Sequence, residues 1–439
     1  MEAQPINALG AGADVGHGAA MHDLMATLFP ICRSITGDGV RRSLQIVGDG
    51  LPMTVAEVPS GTSCFDWTVP DEWTVRDAYV MDQAGNRVID FQAHNLHLVG
   101  YSEPFSGSLT LDELTPHLHS RPDLPDAIPY VTAYYAGTWG FCLTDRDRQA
   151  LTPQTYQVEV DTDLAPGNLT YGEVLIPGDS PREVLLATNV CHPSMANNEL
   201  SGPVVLAHLA RYLMGRRNRL SYRIVFLPET IGAIAYLRRH SETMKERTIA
   251  GLQVVCVGGP DDFCYLETPS GDALVDRIVR RVLRHEGVGH SVLDHTHRAS
   301  DERQWCSPGI GLPVGSLMKT RYHDYDAYHT SLDDLDFVRP EHLAASFDLY
   351  VRCLDALDGA RTYRAILAGG EPNLGSRGLY PALGGRSHED MDANLLLDVL
   401  AYSDGTRTAD CLAERVCRPI EAVTVAIETL VAADLLAEV

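Results

Sequence analysis

The chain has 439 residues, 45% of them hydrophobic and 21% charged, with a formal net charge of −24. At about 100–200 residues per domain this length suggests two to three domains, and the acidic surplus argues against general binding to nucleic acid or anionic membrane. No stretch reaches the ~18 apolar residues of a membrane span, and ten scattered cysteines without a C-x-x-C pair read as reduced, buried thiols of a cytoplasmic protein.

Residues 1–24, "MEAQPINALGAGADVGHGAAMHDL", lack a basic segment followed by an apolar one, so a loose Gly/Ala-rich arm is expected rather than a signal peptide. Residues 21–50 read as helix, turn, helix. From about 60 to 150 the texture is β-rich and aromatic, with short runs such as "CFDWTVP", "AYVMD", "NRVIDF" and "YVTAYY" separated by turn signals such as Ala84-Gly85-Asn86. From about 155 it turns α/β. Strand-like runs at 155–161, 170–178, 183–190, 222–228, 252–258 and 312–318 alternate with helix-like runs, among them 203–215 and the amphipathic 271–287. Uninterrupted apolar strands between helices imply a mostly parallel central sheet with helices on both faces.

After about 385 three helix-like runs suggest a helix-turn-helix or winged-helix module. From 391 to 439 three arginines stand against nine acids, a net charge of −6, with Glu421 and Glu428 on the would-be recognition helix. A DNA reader shows a basic footprint instead, so docking, packing or self-association into a homo-oligomer is the expectation here. The division expected is residues 1–59 and 151–380 in an α/β domain, 60–150 in an inserted β-rich domain, and 385–439 in a winged-helix-like domain.

Ligands of open α/β sheets bind beyond the carboxyl ends of strands. Four polar residues stand near strand ends: His192 after the 183–190 run, Glu229 after 222–228, Asp301 shortly before 312–318 and His329 shortly after it. A lone histidine there is usually structural. Two histidines and two acids on separate strands point to one cleft. Cys191 beside His192 invites a Cys–His nucleophile, but adjacent strand residues face opposite ways, so Cys191 is expected behind the site. His295 and His297 in "DHTHR" read as a polar segment rather than as ligands.

The segments "CHPSMANNELSG" (191–202), "FLPETIGAIAYL" (226–237), "SDERQWCSPGIGLPVGSL" (300–317) and "YHTSLDDLDFV" (328–338) together resemble a bacterial family of aminopeptidase-like proteins. Its members are often found beside polysaccharide or natural-product genes, and carry an inserted β-domain and a C-terminal winged helix. The likeness runs in order from about residue 21. That family is in turn similar to the di-zinc aminopeptidases and, more distantly, to glutaminyl cyclase. The resemblance implies that His192 and His329 are metal ligands and Glu229 the general base, with Tyr328 beside them. It also places Asn198 where a bridging Asp would stand, Thr230 where a ligand Glu would stand, and Cys256 where a later ligand Asp would stand.

Two zinc ions need several carboxylates to offset their charge. With those three substitutions one Zn²⁺ is expected rather than two, held by His192, His329 and Glu199, with Asn198 as the alternative ligand. Tyr328 would donate to the developing oxyanion and Asp301 would hold a substrate ammonium. The function so implied is zinc-dependent hydrolysis of an amide or peptide bond in a small amino-acyl or peptide-like metabolite. An acyl-transfer or cyclising enzyme on the same scaffold and a metal-free, non-catalytic binding protein are the alternatives.

Overall fold

A computed structural model describes residues 15–367, 369–379 and 392–439. The chain divides into two compact units, Met1–Gly271 with Val279–Cys353, and Asp272–Ile278 with Leu354–Val439. Residues 1–14 of the expected loose arm and residues 385–391 of the expected third domain lie outside the described residues. The rest of that arm is helical. Val15–Leu28 forms a helix because Met21, Met25 and Leu28 recur at spacings of four and three and are fully buried.

The first unit is organised by an eight-stranded sheet. Its four central strands, Ser221–Leu227, Glu183–Asn189, Thr248–Gln253 and Val314–Lys319, lie side by side in that order and run parallel. Thr54–Pro59 and Asn168–Ile176 add antiparallel strands at one edge. Phe263–Leu266 and His290–Leu293 extend the other. Neither four-residue strand is apparent from the sequence: Phe263–Leu266 is buried throughout but too short to stand out, and the edge strand His290–Leu293 is mostly exposed. Every residue of Glu183–Asn189 is buried, as expected of a strand covered on both faces. The helix Ser201–Met214 packs against it. Gly202 permits that approach: a Cβ there would meet the Thr188 hydroxyl and the Val254 carbonyl oxygen.

A second, four-stranded antiparallel sheet has the order Arg87–Asp90, Glu72–Met81, Thr155–Ala165, Phe105–Thr110. Here the structure corrects the sequence reading. The 155–161 run was expected in the α/β sheet, but it pairs with the β-rich insertion along its whole length. The reason lies in its pattern. Tyr156, Val158, Val160 and Thr162 are buried while their neighbours are not, the period-two alternation of a sheet with one wet face.

The second unit packs the helices Ala393–Tyr402, Ala409–Val416 and Ile420–Ala432 with a small sheet of Asp404–Thr408, Thr362–Ala365 and Leu436–Glu438. Leu396, Val399, Leu412, Val423, Ile427 and Leu430 form its core. Among the described residues no helix is long and apolar enough to cross a membrane.

Candidate active site

Beyond Asn189 the chain leaves the sheet through Val190–Met195 and an irregular π-turn, Ala196–Leu200, before the helix that opens at Ser201. Ser194 has φ +44° and Asn198 a non-helical φ −96°, ψ 67°. Asp333 holds this unusual backbone. Its carboxylate accepts the N–H groups of Asn197 (2.6 Å) and Asn198 (2.8 Å) and the Tyr325 hydroxyl (3.0 Å). Burial pushes the Asp333 carboxyl up to about 6 despite these donors. Asp333 stands within the quoted "YHTSLDD", but its partners are invisible without the fold.

The loop brings Glu199 back onto His192. One Glu199 oxygen meets His192 Nδ1 directly and the other accepts the Cys191 N–H. Burial raises the Glu199 carboxyl, but His192, the Cys191 N–H and Arg33 outweigh it and hold the group below its ordinary range. Burial lowers His192 while Glu199 and Glu229 raise it further, for a net upward shift. Arg33 lies beneath, 1% exposed, donating from Nε to the His192 carbonyl (3.1 Å) and from Nη1 to the Leu28 carbonyl (2.6 Å). Nothing in "ICRSITG" marks Arg33 as part of a site formed 159 residues away.

Glu199, expected as the third metal ligand, forms with Cys191 and His192 a buried group whose ligand atoms all lie within 4.8 Å of one another, close enough to hold an ion. One expectation is corrected: Cys191 was expected behind the site. It lines the cavity with His192, because residue 191 lies past the strand end, where side chains no longer alternate. Its Sγ is 3.2 Å from His192 Nδ1 and accepts the Glu229 N–H at 3.2 Å. Burial, then Glu199 and Glu229, push this thiol well above its ordinary value, so a thiolate nucleophile is disfavoured.

Glu229 follows the neighbouring strand. One oxygen is 3.8 Å from His192 Nε2 and the other accepts the Ser300 hydroxyl at 3.1 Å. Burial and the nearby Glu199 raise it. Thr230 adopts the strained φ +63°, ψ −81°. Its N–H is held by Asp301 Oδ1 (2.8 Å), while its Oγ1 accepts Arg303 Nη2 (3.0 Å). Asp301 is fully buried and absent from the cavity lining. Burial and Glu229 raise its carboxyl well above normal. The expected grip on a substrate ammonium does not fit that position.

His329 has φ +56° and its ring lies 5.3 Å from that of His192. Tyr328, expected as oxyanion donor, stacks on His329 at 4.0 Å and packs beside Cys256, and burial, then Cys256 and Glu229, push its phenol up. Tyr130 lines the cavity, with its ring 4.9 Å from His192 and 5.2 Å from His329. Its N–H donates to the His329 carbonyl (2.8 Å) and its hydroxyl pairs with Tyr134 (3.1 Å). The insertion is thus stitched over the site. Ile128 and Ser331 exchange two further hydrogen bonds. His295 stands apart in a one-turn helix, bonded to the Glu267 carbonyl.

The donor set can be tested against a metal. With Nδ1 occupied by Glu199, His192 is left to coordinate through Nε2, the usual second-layer arrangement of a metal-binding histidine. The His329 ring has no hydrogen-bond partner among the described residues. Asn198 Oδ1 and Asp301 Oδ2 are buried and also without partners. Orphaned buried oxygens call for an explanation, and an ion is one. These residues fit a metal ion. Asn198 Nδ2 faces Cys256 Sγ at 3.5 Å, a neutral pair. The cavity above them has a volume of about 490 Å³.

Comparison with known proteins agrees with this architecture. A family model described as "Domain of unknown function (DUF4910)" matches residues 22–360, and one for a winged helix-turn-helix matches 361–438. A Clostridium acetobutylicum protein named for polysaccharide biosynthesis and an aminopeptidase-like domain is 45% identical over 388 residues, covering 88% of this chain and 89% of its own. The crystal structure of a C. acetobutylicum protein provisionally named a peptidase superposes with a TM-score of 0.80 at 40% identity, covering 97% of each chain. The zinc aminopeptidase BSAP of Bacillus subtilis shares the fold, with a TM-score of 0.58 at 14% identity over 78% of this chain and 95% of that one.

Proposed function

Since the chain belongs to the family described as "Domain of unknown function (DUF4910)", followed by a winged helix-turn-helix, we propose that it is a metal-dependent hydrolase of amide bonds in small metabolites. The observation that carries this reading is the convergence of His192, His329 and Glu229, from three separate strand ends, on one cavity beside an orphaned Asn198 oxygen.

His192 and His329 would hold a zinc ion, with Asn198 as the third ligand. When bound, it supplies Lewis-acid polarisation and lowers the pKa of water toward ~7. Glu199 fixes the His192 ring rather than ligating. Ser300 positions the Glu229 carboxylate, which takes a proton from the attacking water and delivers it to the departing nitrogen. The C–O bond forms, the C–N bond breaks, and a carboxylic acid and an amine leave. Tyr130, its hydroxyl supported by Tyr134, is the phenol available to donate to the developing oxyanion. The insertion roofs the cavity, which favours small substrates over folded protein. The name of the C. acetobutylicum relative supports a substrate from polysaccharide biosynthesis.

Metal analysis of the purified full-length chain, together with an amide-hydrolysis screen, tests the proposal. Stoichiometric zinc and turnover, both lost in His192→Ala, are expected. A zinc-free protein, or activity that survives His192→Ala, rejects it.

A further inference from the structure

Arg303 is the one cationic side chain other than histidine on the cavity wall. Only one of its donors is engaged, by Thr230 Oγ1 at 3.0 Å. Among the described residues it makes no ion pair. This is unusual in a chain with 59 acids against 35 bases. Among the described residues the only acid on the lining is Glu229, one oxygen of which accepts from Ser300 and which the reading above reserves for proton transfer. Asp301, the other nearby carboxylate, is fully buried behind Thr230. An ammonium entering here would meet only the carboxylate that serves as base, beside a guanidinium. A carboxylate would meet an open planar fork of N–H donors that matches its geometry.

We propose that Arg303 forms an anion subsite, and that the substrates are amides bearing a free carboxylate next to the scissile bond, such as N-acyl amino acids, rather than peptides with a free α-amino end. This rests on the hydrolase reading above. Because Thr230 follows Glu229 directly, an anion held on Arg303 sits beside the general base, close enough to orient the neighbouring amide. On the insertion side, Trp67 and Tyr135 meet edge to face at 6.1 Å and line the same cavity. They offer a surface for a flat apolar group.

The test is calorimetric binding to the zinc-loaded, full-length protein of three probes: N-acetyl-L-tyrosine, N-acetyl-L-tyrosinamide and L-tyrosinamide. The acid is expected to bind at least about tenfold more tightly than either amide. Arg303→Gln should abolish that preference while leaving the affinity for N-acetyl-L-tyrosinamide unchanged. Arg303→Lys should restore part of it, since charge returns without the fork. Equal binding of acid and amide, tighter binding of L-tyrosinamide, no binding of the acid, or a preference that survives Arg303→Gln each overturns the subsite. Hydrolysis of all three probes and of leucine p-nitroanilide is followed in parallel. Selective acid binding without any hydrolysis keeps the subsite and sinks the hydrolase reading. Preferential cleavage of the anilide does the reverse.

Discussion

At and beneath the floor of the cavity, His192, Glu199, Arg33 and Asp301 are buried, and most of their polar atoms already have a protein partner. At the rim, Trp67 and Tyr135 are 41% and 57% exposed and Arg303 is also exposed, with few partners. The floor carries strain as well: Ser194, Thr230, Cys256 and His329 all have positive φ. Such backbone persists only where surrounding contacts enforce it. The contrast separates two tasks. On the proposed reading, chemistry falls to the buried layer next to the parallel sheet, and selection to side chains that a substrate can still engage.

Breaking the floor should therefore abolish function, and altering the rim should only retune it. The largest effect is expected from His192→Ala, which should remove both zinc and turnover, as metal analysis and an activity assay would show. Glu229→Gln should keep the metal but lower kcat by about 10²–10⁴-fold, so unchanged kcat would exclude it as the base. Glu199→Gln should weaken zinc about 10–100-fold by loosening His192, measured by competition with a chelator. Full loss of zinc there would point to direct ligation instead. Gly202→Ala forces a methyl against Thr188 and Val254 and should cost about 1–3 kcal/mol in denaturant unfolding. Trp67→Ala should be mildest, raising KM about three- to tenfold with kcat unchanged.

Several of these residues were legible in the sequence. His192, Glu229, Asp301 and His329 stand out because polar residues near the ends of buried strands are rare without a reason. The alternation along 155–162 also carried its answer, since only a sheet with one wet face needs it. Cys191 was misplaced because strand alternation was extended past Asn189. The role expected of Asp301 was limited by direction. A residue next to a strand end can face the cavity, the core behind it or a stacked neighbour.

By itself the sequence determined the succession of strands and helices and the loops that follow them, because burial periodicity is a local property of the backbone. The neutral side chains of Asn198, Thr230 and Cys256 are also read from the sequence, and the expectation of one ion rather than two rests on them. Only the tertiary structure decided which polar atoms meet. Arg33 reaches His192 from the loop after the first helix, Tyr130 reaches His329 from the insertion, and Asp333 sets the loop that turns Glu199 onto His192. Those pairings depend on chain paths that close over more than a hundred residues, and no local pattern encodes where such a path ends.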